Sequence, residues 1–162
     1  MEALPSFSLL DRCSVFTLAE MTLDDLYSEF DQLEDWEDRC DFLIDLGFQL
    51  PELTPEDKTE ANRVHGCQSH VWLAERVELG QDGGPHVWFH ANSDAMIVAG
   101  LIAVLSLMYN GKSAREILDT DPRVAFKRLD LDKHLSSARR NGLLGMVQRV
   151  RQISAEALVA AN

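Results

Sequence analysis

The stretch Ala95–Tyr109, AMIVAGLIAVLSLMY, constrains this chain more than any other. It is apolar almost all round, and a helix without a polar face must be packed on several sides, so it belongs at the centre of whatever the chain builds. It is also too short to cross a bilayer, which takes about 20 residues. Ser93 reads as its N-cap, Asp94 as a favourable charge at its positive end, and Asn110-Gly111 as its stop.

The flanking sequence supplies what packs on it. Thr22-Leu23-Asp24-Asp25 is a helix start, with Thr22 as N-cap and Asp25 at the capping-box position, leading into Leu26, Tyr27 and Phe30. A second helix is expected from about Asp35 to Leu46. Trp36, Cys40, Leu43 and Gly47 share its spacing, which assigns Cys40 to the core and Gly47 to a C′ terminator. After a capped turn at Thr54-Pro55, Val71–Leu79 and His86–His90 read as two strands joined by the reversal Gln81–Pro85. Ser113 caps SAREILD, a short helix runs from Val124 to about Leu129, and a last helix from about Ser137 to Ala160 carries Leu143, Leu144, Met146, Val147, Val150 and Ile153. The class is α+β. Residues 1–21 show no period and read as a loosely ordered arm containing Cys13, with a single domain over 22–162.

Composition limits the partners. An apolar share of 46% and three Trp in 162 residues make a folded globule. The formal charge of −12, from 27 acidic and 15 basic residues, repels phosphate backbones, so no nucleic-acid partner is expected. Arg139, Arg140, Arg149 and Arg151 form a cluster small enough to be a protein-contact or solvated face. The three cysteines have neither C-x-x-C nor zinc spacing, so no metal site is expected, and a four-thiolate cluster cannot be held by this chain alone. Their odd number fits reduced thiols. The opening Met-Glu-Ala-Leu-Pro has no basic leader, and Asp11-Arg12 interrupts its apolar residues; a soluble, cytoplasmic protein without a membrane partner is expected.

The chemistry centres on Arg63–Glu75, RVHGCQSHVWLAE. Strand-prone Arg63-Val64-His65 and Val71-Trp72-Leu73 flank Gly66-Cys67-Gln68-Ser69, whose small and polar residues suit a tight loop. Gly66 can take a positive φ, which would put the Cys67 sulfur at a loop tip. The alternative is a thiol that serves only as a small buried hydrophobe. His65 and His70 are near in sequence, but nothing in the sequence identifies a group to orient either, and both read as surface residues of the strands.

Four blocks carry a resemblance: GCQSHVW (Gly66–Trp72), SDAMIVAGLIAVL (Ser93–Leu105), HLSSARRNGLLGM (His134–Met146) and WEDRCDFLIDLGFQLPEL (Trp36–Leu53). In this order they resemble the SufE family of sulfur-acceptor proteins, with Gln68-Ser69 closer to the SufE branch than to the CsdE branch. The resemblance implies a curved antiparallel sheet with helices on one side, a fold similar to that of the scaffold protein IscU. It implies a partner, a SufS-like cysteine desulfurase whose pyridoxal phosphate stays with that enzyme, so this chain binds no cofactor of its own. Cys67 would take sulfur as a persulfide, stimulate the desulfurase, and pass the sulfur to an iron–sulfur assembly scaffold. Gly66, Gln68 and Ser69 would form the acceptor loop, Arg139 would support the thiolate or position the loop, and Asp94 and His65 would stand behind it. A non-catalytic adaptor that regulates its partner by binding alone is the competing reading.

Overall fold

The structure, a computed structural model, describes residues 17–66 and 68–162. Its centre is helix α3 (Met96–Tyr109), in which every residue from Val98 to Leu105 is buried. Before it come α1 (Leu23–Gln32), α2 (Trp36–Phe48) and two strands, β1 (Val71–Leu79) and β2 (Pro85–Ser93). After it come α4 (Ala114–Asp119), α5 (Pro122–Arg128), α6 (Leu131–His134) and the long α7 (Ser137–Ala160). The architecture is α+β, as the sequence leads one to expect.

Local signals set most of the helix starts. Thr22 and Asp25 close a reciprocal capping box on α1, and Ser113 and Glu116 do the same on α4. Gly47 corrects the expectation of a terminator: α2 runs on to Phe48, with Gln49 as its cap. The glycine is there for contact. A Cβ on Gly47 would come within 2.7 Å of the Gly100 nitrogen, and one on Gly100 within 2.6 Å of the Leu43 carbonyl oxygen, so the two helices cross backbone to backbone.

The strands pair antiparallel, Val71 opposite Ser93 and Leu79 opposite Pro85. Val71, Leu73, Val87, Phe89 and Ala91 form the buried face, which lies against the helices. On the outer edge of β1, Arg63 bridges Trp72, and Val64 N–H donates to the Val71 carbonyl at 2.9 Å. The segment between Val64 and Val71 is therefore a loop closed at its base.

Strand β2 is longer than His86–His90, and its length moves the start of α3. Ser93 is spent as the last strand residue, so Ala95 becomes the N-cap and neither Ser93 nor Asp94 caps the helix. The Ser93 hydroxyl instead accepts from Ala95 N–H at 3.2 Å.

Of the expected arm, residues 1–16, with Cys13, lie outside the described residues. Thr17–Met21 folds onto the domain: Met21 is buried, and Leu18 N–H donates to the Gln49 side-chain oxygen at 2.6 Å. Among the described residues no helix is long and apolar enough to cross a membrane.

Candidate functional site

The central residue of the sequence reading, Cys67, lies outside the described residues, and the site is built from what surrounds it in the chain. Gly66 has φ +94°, a left-handed conformation that side chains with a Cβ rarely adopt, as its position before a tight loop requires. The loop entrance rests on α7, where a Cβ at Gly145 would meet the His65 carbonyl oxygen at 3.3 Å. On the other side of Cys67, Gln68 and Ser69 line a cavity of about 100 Å³. Val98 and Leu101 of α3 and Leu143 and Met146 of α7 form its apolar wall, and Ala138, Arg139 and Gly142 bring the first turns of α7 to it.

That end of α7 is electropositive by construction. Ser136 caps the helix, its hydroxyl accepting from Arg139 N–H at 3.3 Å, and no acidic side chain occupies the first turn to offset the helix dipole. Arg139 adds a full charge beside Gln68 and Ser69. Its field also reaches Cys40 on α2. Burial and then Asp41 push the half-buried Cys40 thiol up from its ordinary value, and Arg139 opposes them. Cys40, expected in the core, thus sits at the edge of it.

The loop exit is held by a pair that sequence reasoning missed. Asp94 accepts from the backbone N–H of His70 at 3.0 Å and pairs with the His70 ring Nδ1, also at 3.0 Å. His70 holds the Asp94 carboxyl below its ordinary range. The ring also stacks on Trp72, centroids 5.7 Å apart. His65, the histidine favoured by the sequence reading, is exposed and pairs with Glu60 at 3.2 Å, and it does not line the cavity.

Comparison with known proteins identifies the family. The family model described as "SufE: Fe-S metabolism associated domain" matches residues 24–154. The chain belongs to the SufE family. An uncharacterised SufE-like protein of Rhizobium etli is 44% identical over 131 residues, 81% of this chain and 88% of that one. Another, from Rhizobium meliloti, is 40% identical over 130 residues, covering 80% and 92% respectively. The solution structure of a hypothetical protein from Thermus thermophilus superposes with a TM-score of 0.64 at 24% identity, over 86% of this chain and 99% of that one, a likeness of fold.

As a SufE-family protein the chain is associated with iron–sulfur metabolism. The structure brings Gln68, Ser69 and Arg139 to one cavity, with Gly66 at the loop entrance and Asp94 at the exit. His65 stands apart from them. The signal that would have pointed to His70 is an aspartate 24 residues later in sequence, which only strand pairing brings close. Among the described residues no group of three or more His, Cys, Asp or Glu side chains could hold a metal ion.

Proposed function

We propose that this SufE-family chain is a sulfur acceptor and carrier: Cys67 takes the terminal sulfur of a persulfide held by a pyridoxal-phosphate cysteine desulfurase, which the chain thereby stimulates, and delivers it to an iron–sulfur assembly scaffold. The observation that carries the reading is the meeting of Gln68 and Ser69, the residues that follow Cys67, with Arg139 and the amino end of α7 around one cavity. A thiolate is the attacking species in sulfur exchange, and a free cysteine with a pKa of about 8.5 is mostly protonated at neutral pH. Positive charge from a helix start and a guanidinium increases the reactive fraction.

The step balances without an added oxidant. The Cys67 thiolate attacks the outer sulfur of the desulfurase persulfide, a sulfur–sulfur bond forms to Cys67 as the enzyme's own sulfur–sulfur bond breaks, and the enzyme's cysteine leaves as a thiolate. Arg139 is a positioning and field residue in this scheme. Asp94 and His70 fix where the loop rejoins the sheet.

Intact mass after incubation with a cysteine desulfurase and L-cysteine, under non-reducing conditions, tests the proposal. Wild type gains one or more sulfur atoms, lost again on reduction, and Cys67→Ser gains none. A variant that still accepts sulfur, or a wild type that binds and stimulates the desulfurase without any gain in mass, would overturn it in favour of the adaptor.

A further inference from the structure

A second cavity lies across the first turns of α7 from the acceptor cavity, and Leu143 lines both. Its volume is about 330 Å³, within the range of about 300–1,000 Å³ that holds small organic ligands. Its apolar lining is Phe126 of α5, Leu131 of α6, Leu135, and Leu143 and Leu144 of α7. Three cations also line it, Arg123 and Lys127 from α5 and Arg140 from α7, against one carboxylate, Asp132.

The charge there runs against the rest of the chain. Six of the 15 basic residues fall between Arg123 and Arg140, with only Asp130 and Asp132 as acidic residues in that span, in a protein of net charge −12. Within this island Arg123 is committed to Asp121 and Arg128 to Asp31. The Arg140 guanidinium reaches only the Asp132 carbonyl and the Ser137 hydroxyl, and neither it nor Lys127 meets a carboxylate within ion-pair distance among the described residues. Among the described residues, two cations without counter-charges therefore border an apolar concavity open to water. Such a site is complementary to a molecule with an apolar body and one anionic end, because the body would remove apolar surface from water and the anion would supply the missing counter-charge.

We infer that the cleft between α5, α6 and α7 is a binding site for a small amphipathic carboxylate, its apolar chain on Phe126, Leu131, Leu135 and Leu144 and its carboxylate between Lys127 and Arg140. This inference stands independently of the sulfur-acceptor reading. The shared Leu143 puts an occupant of the cleft one side chain away from the acceptor cavity.

The full-length protein is titrated with three ten-carbon amphiphiles below their micelle concentrations: decanoate, decyl maltoside and decyltrimethylammonium. Calorimetry gives stoichiometry, and amide chemical shifts give location. Decanoate binds one to one and saturably, with shifts gathered on Phe126, Leu131, Leu135 and Leu144; the neutral compound binds at least tenfold more weakly, and the cation does not saturate. Lys127→Glu weakens decanoate at least tenfold. Leu144→Asp, at a position 44% exposed and so tolerant of charge, does the same with an unchanged circular dichroism spectrum. Equal affinity for the three head groups, no saturable decanoate binding, or shifts elsewhere overturns the inference. So does a Lys127→Glu variant that loses desulfurase binding while wild type ignores decanoate, an outcome that makes the cleft a protein-docking face.

Discussion

Both carboxylate oxygens of Asp94 are bonded to His70, one to its backbone N–H and one to its ring, each at 3.0 Å. The residue three positions after Cys67 is thereby tied to the start of α3, and Asp94 N–H returns a long bond to the His70 carbonyl at 3.4 Å. Asp94→Ala removes the two bonds to the side chain and leaves the strand ladder intact. A surface-exposed bond of this kind contributes about 1 kcal/mol, so the His70 amide is expected to exchange roughly fivefold faster, with α3 amides unchanged. Hydrogen exchange by NMR measures both. Unchanged exchange at His70 would mean that the loop exit is held by other contacts. Because His70 depresses the Asp94 pKa, this contribution is present above the ordinary aspartate range and is lost as pH falls through the depressed value.

Gly100 carries the crossing of α2 and α3. In Gly100→Ala the new methyl would stand 2.6 Å from the Leu43 carbonyl oxygen and 2.7 Å from its carbon, both backbone atoms that cannot rotate away. Overpacking of this sort costs about 1–3 kcal/mol, more than the gain in helix propensity of up to about 1 kcal/mol. The net expectation is a fall in Tm of a few degrees, at about 2–4 °C per kcal/mol for a chain of this size. Calorimetry decides it, and a variant as stable as wild type would show that the helices can separate without cost.

The sequence made the local parts of this architecture legible and left the crossings obscure. Thr22 with Asp25 and Ser113 with Glu116 announce helix starts because each pair acts within four residues. Gly47 reads the same whether it ends a helix or lets another backbone approach, and only the position of Gly100 on α3 distinguishes the two. Ser93-Asp94 has the composition of a cap, but the β ladder claims Ser93 first and Asp94 turns to His70. Arg139 could be named from sequence, while the cavity it shares with Gln68 and Ser69 depends on α7 lying beside the loop.

Arg39 ties the end of α1 to the segment before α6. Its guanidinium donates to the Leu33 carbonyl at 3.0 Å and the Phe30 carbonyl at 3.1 Å, pairs with Asp130 at 3.2 Å, and lies over the Phe30 ring. This side chain, only 18% exposed, gives the Leu33 carbonyl a donor and adds a second to the Phe30 carbonyl, which also accepts from Leu33 N–H at 3.1 Å. Arg39→Met is expected to cost about 2 kcal/mol, and Arg39→Lys to recover less than half, since an ammonium cannot serve three acceptors fixed by a planar fork. Urea denaturation of the two variants checks the order; equal loss of nothing in both would assign the contacts no weight.

At the hairpin tip Asp82 and His86 each favour the charged form of the other. The Gly111 carbonyl and then Asp82 raise the His86 pKa, while Gly84 N–H and then His86 lower that of Asp82. A raised histidine stabilises fully below its unfolded value of about 6.5 and loses that contribution as pH rises through the folded value. A depressed aspartate stabilises above its unfolded value and loses that contribution as pH falls through the folded one. Protection of the Gly84 amide is therefore expected to be greatest between about pH 4 and 6.5. In His86→Gln the decline on the alkaline side should vanish; if it persists, the histidine is not its source.

Arg139 can be tested on two thiols in one experiment. Burial and Asp41 raise the Cys40 pKa and Arg139 lowers it, so removal of the guanidinium should push that thiol further up. With Cys13→Ser to leave two thiols, iodoacetamide labelling at pH 8 followed by peptide mass analysis reads each rate separately. Cys40 is expected to react more slowly than a free cysteine, and more slowly still in Arg139→Ala, because a smaller fraction is thiolate at that pH. Under the sulfur-acceptor proposal Cys67 slows as well, several-fold, and Arg139→Lys restores most of both rates by keeping the charge. A loss at Cys40 alone would confine the arginine's field to α2 and remove it from the acceptor chemistry. A loss at Cys67 that lysine does not restore would indicate that the planar guanidinium positions the loop through its geometry, since a point charge supplies the field without the shape.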